Sequence, residues 1–101
     1  MNHEVEIRDG CTYVHFRVEI DLSCSAQVRQ ILLDVVGKYP LTVVELSGVS
    51  VIDSSGIASL LDGRQVAKRR GHSFELAAPS PQVMRVLGLA QLDRFFIIRD
   101  H

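Results

Sequence analysis

The residues best suited to chemistry in this chain stand side by side: Asp53, Ser54 and Ser55, followed by Gly56 and Ile57. They fall where an apolar run, Leu41 to Leu46, passes through a polar connection into a pattern with Ile57, Leu60, Leu61 and Ala67 on one helical face. That order places the hydroxyls and the carboxylate at a helix start. The first turn of a helix holds backbone N–H groups without intrahelical partners, and the helix dipole adds partial positive charge there, so the site favours an anion. A phosphate on Ser54 would bring about −1.5 to −2 charges and strong acceptor oxygens to that turn. The dipole would return roughly 0.3–2 kcal/mol, so the fold could carry the group while the surface beside Asp53 became repellent to an acidic or apolar partner. Gly56 suits such a site because a missing side chain lets another backbone or a phosphate approach closely. The plainer alternative is that Asp53, Ser54 or Ser55 is simply the N-cap, a position that Asp and Ser favour. Residue chemistry alone leaves both readings open.

Other chemistries find less support. Ser, His and Asp are all present, but no local pattern such as Gly-x-Ser-x-Gly presents a nucleophile, and no enzyme activity is expected. Neither a Walker loop nor a Gly-x-Gly-x-x-Gly fingerprint occurs, so no nucleotide cofactor is expected. His3, His15, His72 and His101 are scattered without ligand spacing, Cys11 and Cys24 form no Cys-x-x-Cys pair, and no metal site is expected. Arg64, Lys68, Arg69 and Arg70 make a basic end to the helix that begins near Ser54, where the dipole favours cations and a solvated face explains them.

Eleven Lys and Arg against twelve Asp and Glu give a formal charge of −1, which supplies no general field for nucleic acid. No apolar run approaches the roughly 20 residues that span a bilayer, so no direct membrane insertion is expected. The opening Met1-Asn2-His3-Glu4 lacks the order of a secretory signal, which makes the cytoplasm the expected compartment. With 47% hydrophobic and 23% charged residues among 101, the chain is expected to fold as one domain over residues 1–101, monomeric when alone.

The elements that must position the Asp53–Ile57 segment can be read from periodicity. Glu4 to Arg8 and Thr12 to Val18 alternate around Asp9-Gly10, a two-residue hairpin signal. Val28, Ile31, Leu32, Val35 and Val36 form one face of a helix, capped by Ser23 or Ser25 and stopping near Gly37 before Pro40. Leu41 to Leu46 is a β-branched run suited to a central strand covered on both faces. The second helix stops at Gly71, His72 to Ala78 is a strand, and Ser80-Pro81 opens a short helix through Leu87, ended by Gly88. Phe95 to Arg99 gives a last strand. The order β-β-α-β-α-β-α-β implies an α/β fold, a mixed β-sheet with helices packed against it.

Asp53-Ser54-Ser55-Gly56-Ile57, preceded by the apolar strand and followed by a helix ending in Arg69-Arg70-Gly71, resembles the signature of STAS domains, specifically the stand-alone anti-sigma-factor antagonists. Glu19-Ile20-Asp21, Leu76-Ala77-Ala78-Pro79-Ser80-Pro81 and Val86-Leu87-Gly88-Leu89 sit in the family's order, so nearly the whole chain is covered. The resemblance implies that Ser54 is phosphorylated by a kinase-type anti-sigma factor related to histidine-kinase ATPase domains. It implies that the unmodified form binds that kinase, through Asp21, Asp53, Ser55, Gly56 and Ile57, and that a PP2C-type phosphatase resets the switch. Asp21 matches a family aspartate near the phosphorylation site, and its plainer role is a turn or cap residue. Val18 stands where the family usually has glycine, and Glu45 where aspartate is common. An alternative within the same family is a constitutive subunit supporting the ATPase of a lipid-transport ABC system, in which the signature is degenerate.

Overall fold

A computed structural model describes residues 2–100; Met1 and His101, the two ends of the expected domain, lie outside the described residues. The chain opens with β1 (His3–Arg8) and β2 (Cys11–Phe16), paired antiparallel from His3 opposite Phe16 to Arg8 opposite Cys11. Asp9 and Gly10 take φ of 54° and 77°, the left-handed conformation that a type I′ turn demands at both central positions. Then follow α1 (Ser25–Lys38), β3 (Leu41–Glu45), α2 (Ser54–Arg69), β4 (Ser73–Ala77), α3 (Pro81–Leu89) and β5 (Ile97–Arg99).

The five strands lie in the sheet in chain order, and every pairing after the hairpin is parallel. Right-handed crossovers between strands laid down in one direction put all the connecting helices on one face. Val14, Phe16, Val44 and Leu76 meet Val28, Leu32, Leu60 and Leu87 there in one buried cluster. The expected central strand is indeed third of five, but helices cover only one of its faces. Thr42 and Val44 face the helices, while Val43, on the open face, is also buried, beneath the side chains of neighbouring strands. Arg8 lies 4.3 Å over the Tyr13 ring, His15 bridges Glu6 and Glu45 at 3.1 Å each, and Arg99 pairs with Glu75.

Helix ends depart from expectation in two places. Neither Ser23 nor Ser25 caps α1: the N-cap is Cys24, with no side-chain cap, because Ser23 is drawn to the Asp21 carboxylate instead. α1 stops at Lys38, near Gly37 as expected, where Tyr39 turns extended ahead of Pro40. Gly88 does not end α3. The helix runs to Leu89, and Gln91, at φ 59°, takes the left-handed place, with its N–H on the Gly88 carbonyl and the Leu92 N–H on the Leu87 carbonyl. Gly71 makes the same closure on α2, with its own N–H on Lys68 and that of His72 on Ala67, as its position predicted. Ser80 caps α3 by accepting from the Val83 amide at 3.3 Å and donates its hydroxyl to the Val49 carbonyl at 2.9 Å. The last strand is shorter than the Phe95–Arg99 run, starting at Ile97, and β2 ends at Phe16 rather than Val18.

Candidate functional site

The connections after β2 and β3 leave the sheet at the same end, the carboxyl end of the parallel strands, where open α/β sheets place their sites. Beyond the named strands they meet once more. Ile20 and Ile52 form an isolated parallel bridge, with the Ile20 N–H donating to the Val51 carbonyl at 2.9 Å and the Asp53 N–H to the Ile20 carbonyl at 3.1 Å. Both isoleucines are buried, so the clamp is apolar beneath and hydrogen-bonded along its backbone. It delivers Asp21 and Asp53, the residues that follow its two halves, to one surface.

Asp53 is the N-cap of α2, extended at φ −107°, and its Oδ1 accepts from the Ser55 hydroxyl at 2.6 Å and the Gly56 amide at 3.0 Å. Its carbonyl accepts from the Ile57 amide at 3.0 Å. The Ser55 hydroxyl, then the Gly56 amide, hold the Asp53 carboxyl below the usual carboxylate range, with a smaller contribution from the Leu22 amide across the clamp. The expectation that first-turn amides stand unpaired is thus corrected at Gly56: Asp53 already occupies that donor. A phosphate arriving on Ser54 would join an anion in place rather than an empty pocket.

Ser54 is the first residue of α2 and is exposed. Ser55 is half-buried, and Ile57 and Gly56 are buried. A Cβ on Gly56 would lie 2.6 Å from Ile52 Cγ1, 2.7 Å from Ile20 Cγ2 and 3.0 Å from the Ile20 carbonyl oxygen. The close approach expected at this glycine is therefore made by the clamp, which α2 rests upon. Gly56 and Ile57 shape the site from below, whereas Asp21, Asp53 and Ser54 reach its surface.

Asp21 closes the turn into α1. Its Oδ1 accepts from the Ser23 amide at 2.9 Å and the Ser23 hydroxyl at 2.5 Å, and its carbonyl accepts from Cys24 and Ser25 at 3.1 and 2.9 Å. Leu22, between these two, is 81% exposed, and Val51 beside the clamp is 43% exposed. Sequence reasoning passed over both, because a single apolar residue outside any periodic pattern is ordinary on a surface, and only the clamp brings Leu22 and Val51 to the same end of the sheet. Glu45 anchors the start of the β3–α2 connection: its Oε1 accepts from the Ser47 amide at 2.7 Å while Oε2 meets His15. Burial opposes ionisation of Glu45, but the bonds from Ser47 and His15 outweigh it and lower its pKa.

Across α2, the Ser59 hydroxyl donates to the Ser25 carbonyl at 3.0 Å and to the Ser55 carbonyl at 3.1 Å, tying the first turns of the two helices together. Among the described residues no group of three or more His, Cys, Asp or Glu is placed to hold a metal ion, and no helix is long and apolar enough to cross a membrane.

Comparison with solved structures finds the same fold elsewhere. An anti-sigma factor antagonist from Mycobacterium paratuberculosis superposes with a TM-score of 0.86 at 26% identity, over 99% of this chain and 86% of that one. A STAS domain protein from Planctomyces limnophilus gives 0.85 at 21% identity, over 98% and 90%. The Bacillus cell fate determinant SpoIIAA in its phosphorylated form gives 0.73 at 18% identity, over 96% and 90%. These likenesses agree with the fold, and the sequence model of the STAS domain matches residues 2–101. By that match over nearly its whole length, the chain belongs to the STAS domain family.

Proposed function

We propose that this chain is a phospho-switch of the anti-sigma-factor antagonist type. A kinase-type anti-sigma factor binds the surface around unmodified Ser54 and releases it once Ser54 carries phosphate. The observation that carries the reading is the exposed Ser54 at the first position of α2, directly after a cap carboxylate that is fixed in place. In the transfer, the Ser54 Oγ bonds to the γ-phosphorus of ATP, ADP leaves, and the hydroxyl proton passes to solvent or a base of the kinase. A PP2C-type phosphatase returns the serine by hydrolysis, with release of inorganic phosphate.

Phosphate at this position would place about −1.5 to −2 charges beside Asp53. A loss of about 1.4 kcal/mol weakens an interface tenfold, and a blocked central contact commonly costs more. Asp21 and Leu22, held next to Asp53 by the clamp, complete the contact surface, while Gly56 and Ile57 set its shape. The chain itself is read as a binding module of the cytoplasm, with the chemistry residing in the kinase and phosphatase. A protein of the same fold, SpoIIAA, has been described in both unphosphorylated and phosphorylated forms, in keeping with a fold that carries the group intact.

Incubation with the kinase-type anti-sigma factor and ATP should place a single phosphate on Ser54, located by mass spectrometry. Ser54→Asp should weaken the complex at least tenfold, with Ser54→Ala close to the unmodified chain. Equal affinity of Ser54→Asp and the parent would sink the proposal.

A further inference from the structure

The far end of α2 carries a second surface that the Ser54 reading does not use. A cavity of about 270 Å³ opens where α2 passes the starts of β4 and β5, lined by Arg64, Lys68, His72, Phe95 and Ile97 together with the first residues of β4. A neighbouring hollow shares Arg64, Lys68 and Phe95. No Asp or Glu lines either one. Among the described residues Arg64 and Lys68 enter no ion pair, in contrast to Arg8, Arg17, Arg29 and Arg99, each of which is matched with a carboxylate.

Two further features meet here. Phe95 is 46% exposed and Ile97 61% exposed, an apolar surface with the Arg64 guanidinium stacked 4.0 Å over the Phe95 ring. In addition, β5 joins β4 only from Glu75 onward, opposite Ile97, whereas β3 pairs with β4 from Ser73. Ser73 already donates its N–H to the Pro40 carbonyl and Phe74 is buried, so the strand edge left open beside the groove is the outer side of β5, the last strand of the sheet, from Ile97 onward. Uncompensated cations, exposed apolar side chains and an uncovered strand edge together fit one kind of occupant: an extended peptide whose backbone can pair with the edge and whose side chains alternate acidic with apolar. A small inorganic anion would leave the apolar wall and the edge unused.

We propose that this groove binds a short acidic, apolar-alternating segment of a partner protein in extended conformation. It stands about 20 Å along α2 from Ser54, at roughly 1.5 Å per residue, and at the opposite end of the strands, so its occupancy does not depend on the charge at Ser54.

The test uses the full chain and an N-acetylated heptapeptide alternating Glu with Leu and Phe. Saturable binding with Kd at or below about 1 mM is expected, with amide shifts in the NMR spectrum centred on Ser73, Phe74 and Ile97. The double variant Arg64→Glu, Lys68→Glu should weaken it at least tenfold with an unchanged far-UV spectrum, and a peptide with Gln for Glu should bind at least fivefold more weakly. Ser54→Asp should leave the affinity within about twofold, which separates this groove from the switch surface. Absence of saturation, equal binding of the Gln peptide, shifts centred on Leu22 and Val51, or the same shifts reproduced by inorganic phosphate alone would each overturn the proposal.

Discussion

Ile20 and Asp53 are joined main chain to main chain, the Asp53 N–H donating to the Ile20 carbonyl at 3.1 Å, and this bond couples the Asp21 turn to the cap of the serine-bearing helix. The two loops leave neighbouring parallel strands, and without that bond and its companion from Ile20 to Val51 nothing in the sheet itself would bring their tips together. Buried isoleucine side chains beneath the bridge exclude water from it, which strengthens both bonds. Its weak point is the space it shares with α2.

Gly56→Ala tests that space. The added methyl would sit 2.6 Å from Ile52 and 2.7 Å from Ile20, with the Ile20 carbonyl at 3.0 Å, so relief requires the clamp or the helix to move. Overpacking of this kind costs about 1–3 kcal/mol. Chemical denaturation should show a lower midpoint with an unchanged slope. On the proposed switch, binding to a kinase-type anti-sigma factor should fall as well, because the Asp21 turn and the helix start lose their registry.

Asp53 separates capping from charge. Asp53→Asn keeps an oxygen that can accept from the Gly56 amide and should melt close to the parent, while Asp53→Ala should melt lower. The pH dependence follows from the depressed pKa, whose leading causes are the Ser55 hydroxyl and the Gly56 amide. The carboxylate contributes stability that is present above the ordinary aspartate value and is lost as the pH falls through the lower folded value. A thermal series through the acid range should show this loss in the parent and not in Asp53→Asn. Identical acid profiles for the two chains would contradict it.

What the residues disclosed about this site, and what they withheld, follows the range of the interactions. The start of α2 was legible because Asp and Ser are local cap signals and Ile57, Leu60 and Ala67 share a face. The α1 cap was not, since the Ser23 hydroxyl donates to the Asp21 carboxylate instead of accepting from a first-turn amide, and that choice depends on how the turn is folded. Gln91 gave no warning that it would adopt a conformation usually left to glycine, so the end of α3 was misplaced. The meeting of Asp21 with Asp53 could be taken only from the family resemblance, because a bridge between two loops far apart in the chain leaves no trace in periodicity. The acid-free groove at the end of α2 likewise needs β4 and β5 in place before its cations and aromatics converge.

His15 makes the open sheet face sensitive to pH. Burial opposes its protonation, but hydrogen bonds and charges from Glu45 and Glu6 outweigh it and raise its pKa above the ordinary histidine value. The stabilisation is therefore complete below that ordinary value and is lost as the pH rises through the higher folded value. Thermal melts from about pH 6 to about pH 9 should decline in the parent and stay flatter in His15→Gln, where no charge is lost. Since Glu45 also holds the Ser47 amide, the same rise in pH should lower the protection of the β3–α2 connection against hydrogen exchange, once the intrinsic rise of exchange with pH is removed, in the parent and not in His15→Gln. A flat melting profile in the parent would contradict the assignment.

The succession of strands across the sheet matches their succession along the chain, and this bears on how the protein is made. As a ribosome releases the polypeptide, each new strand finds its neighbour already formed and waiting, and none has to force its way later between two that have closed. The hairpin can serve as the founding edge, and each helix–strand unit then adds one step outward. The serine-bearing loop acquires its floor once the third of these strands and the helix after it have emerged, so that surface is assembled while the last two strands and the last helix are still to be made.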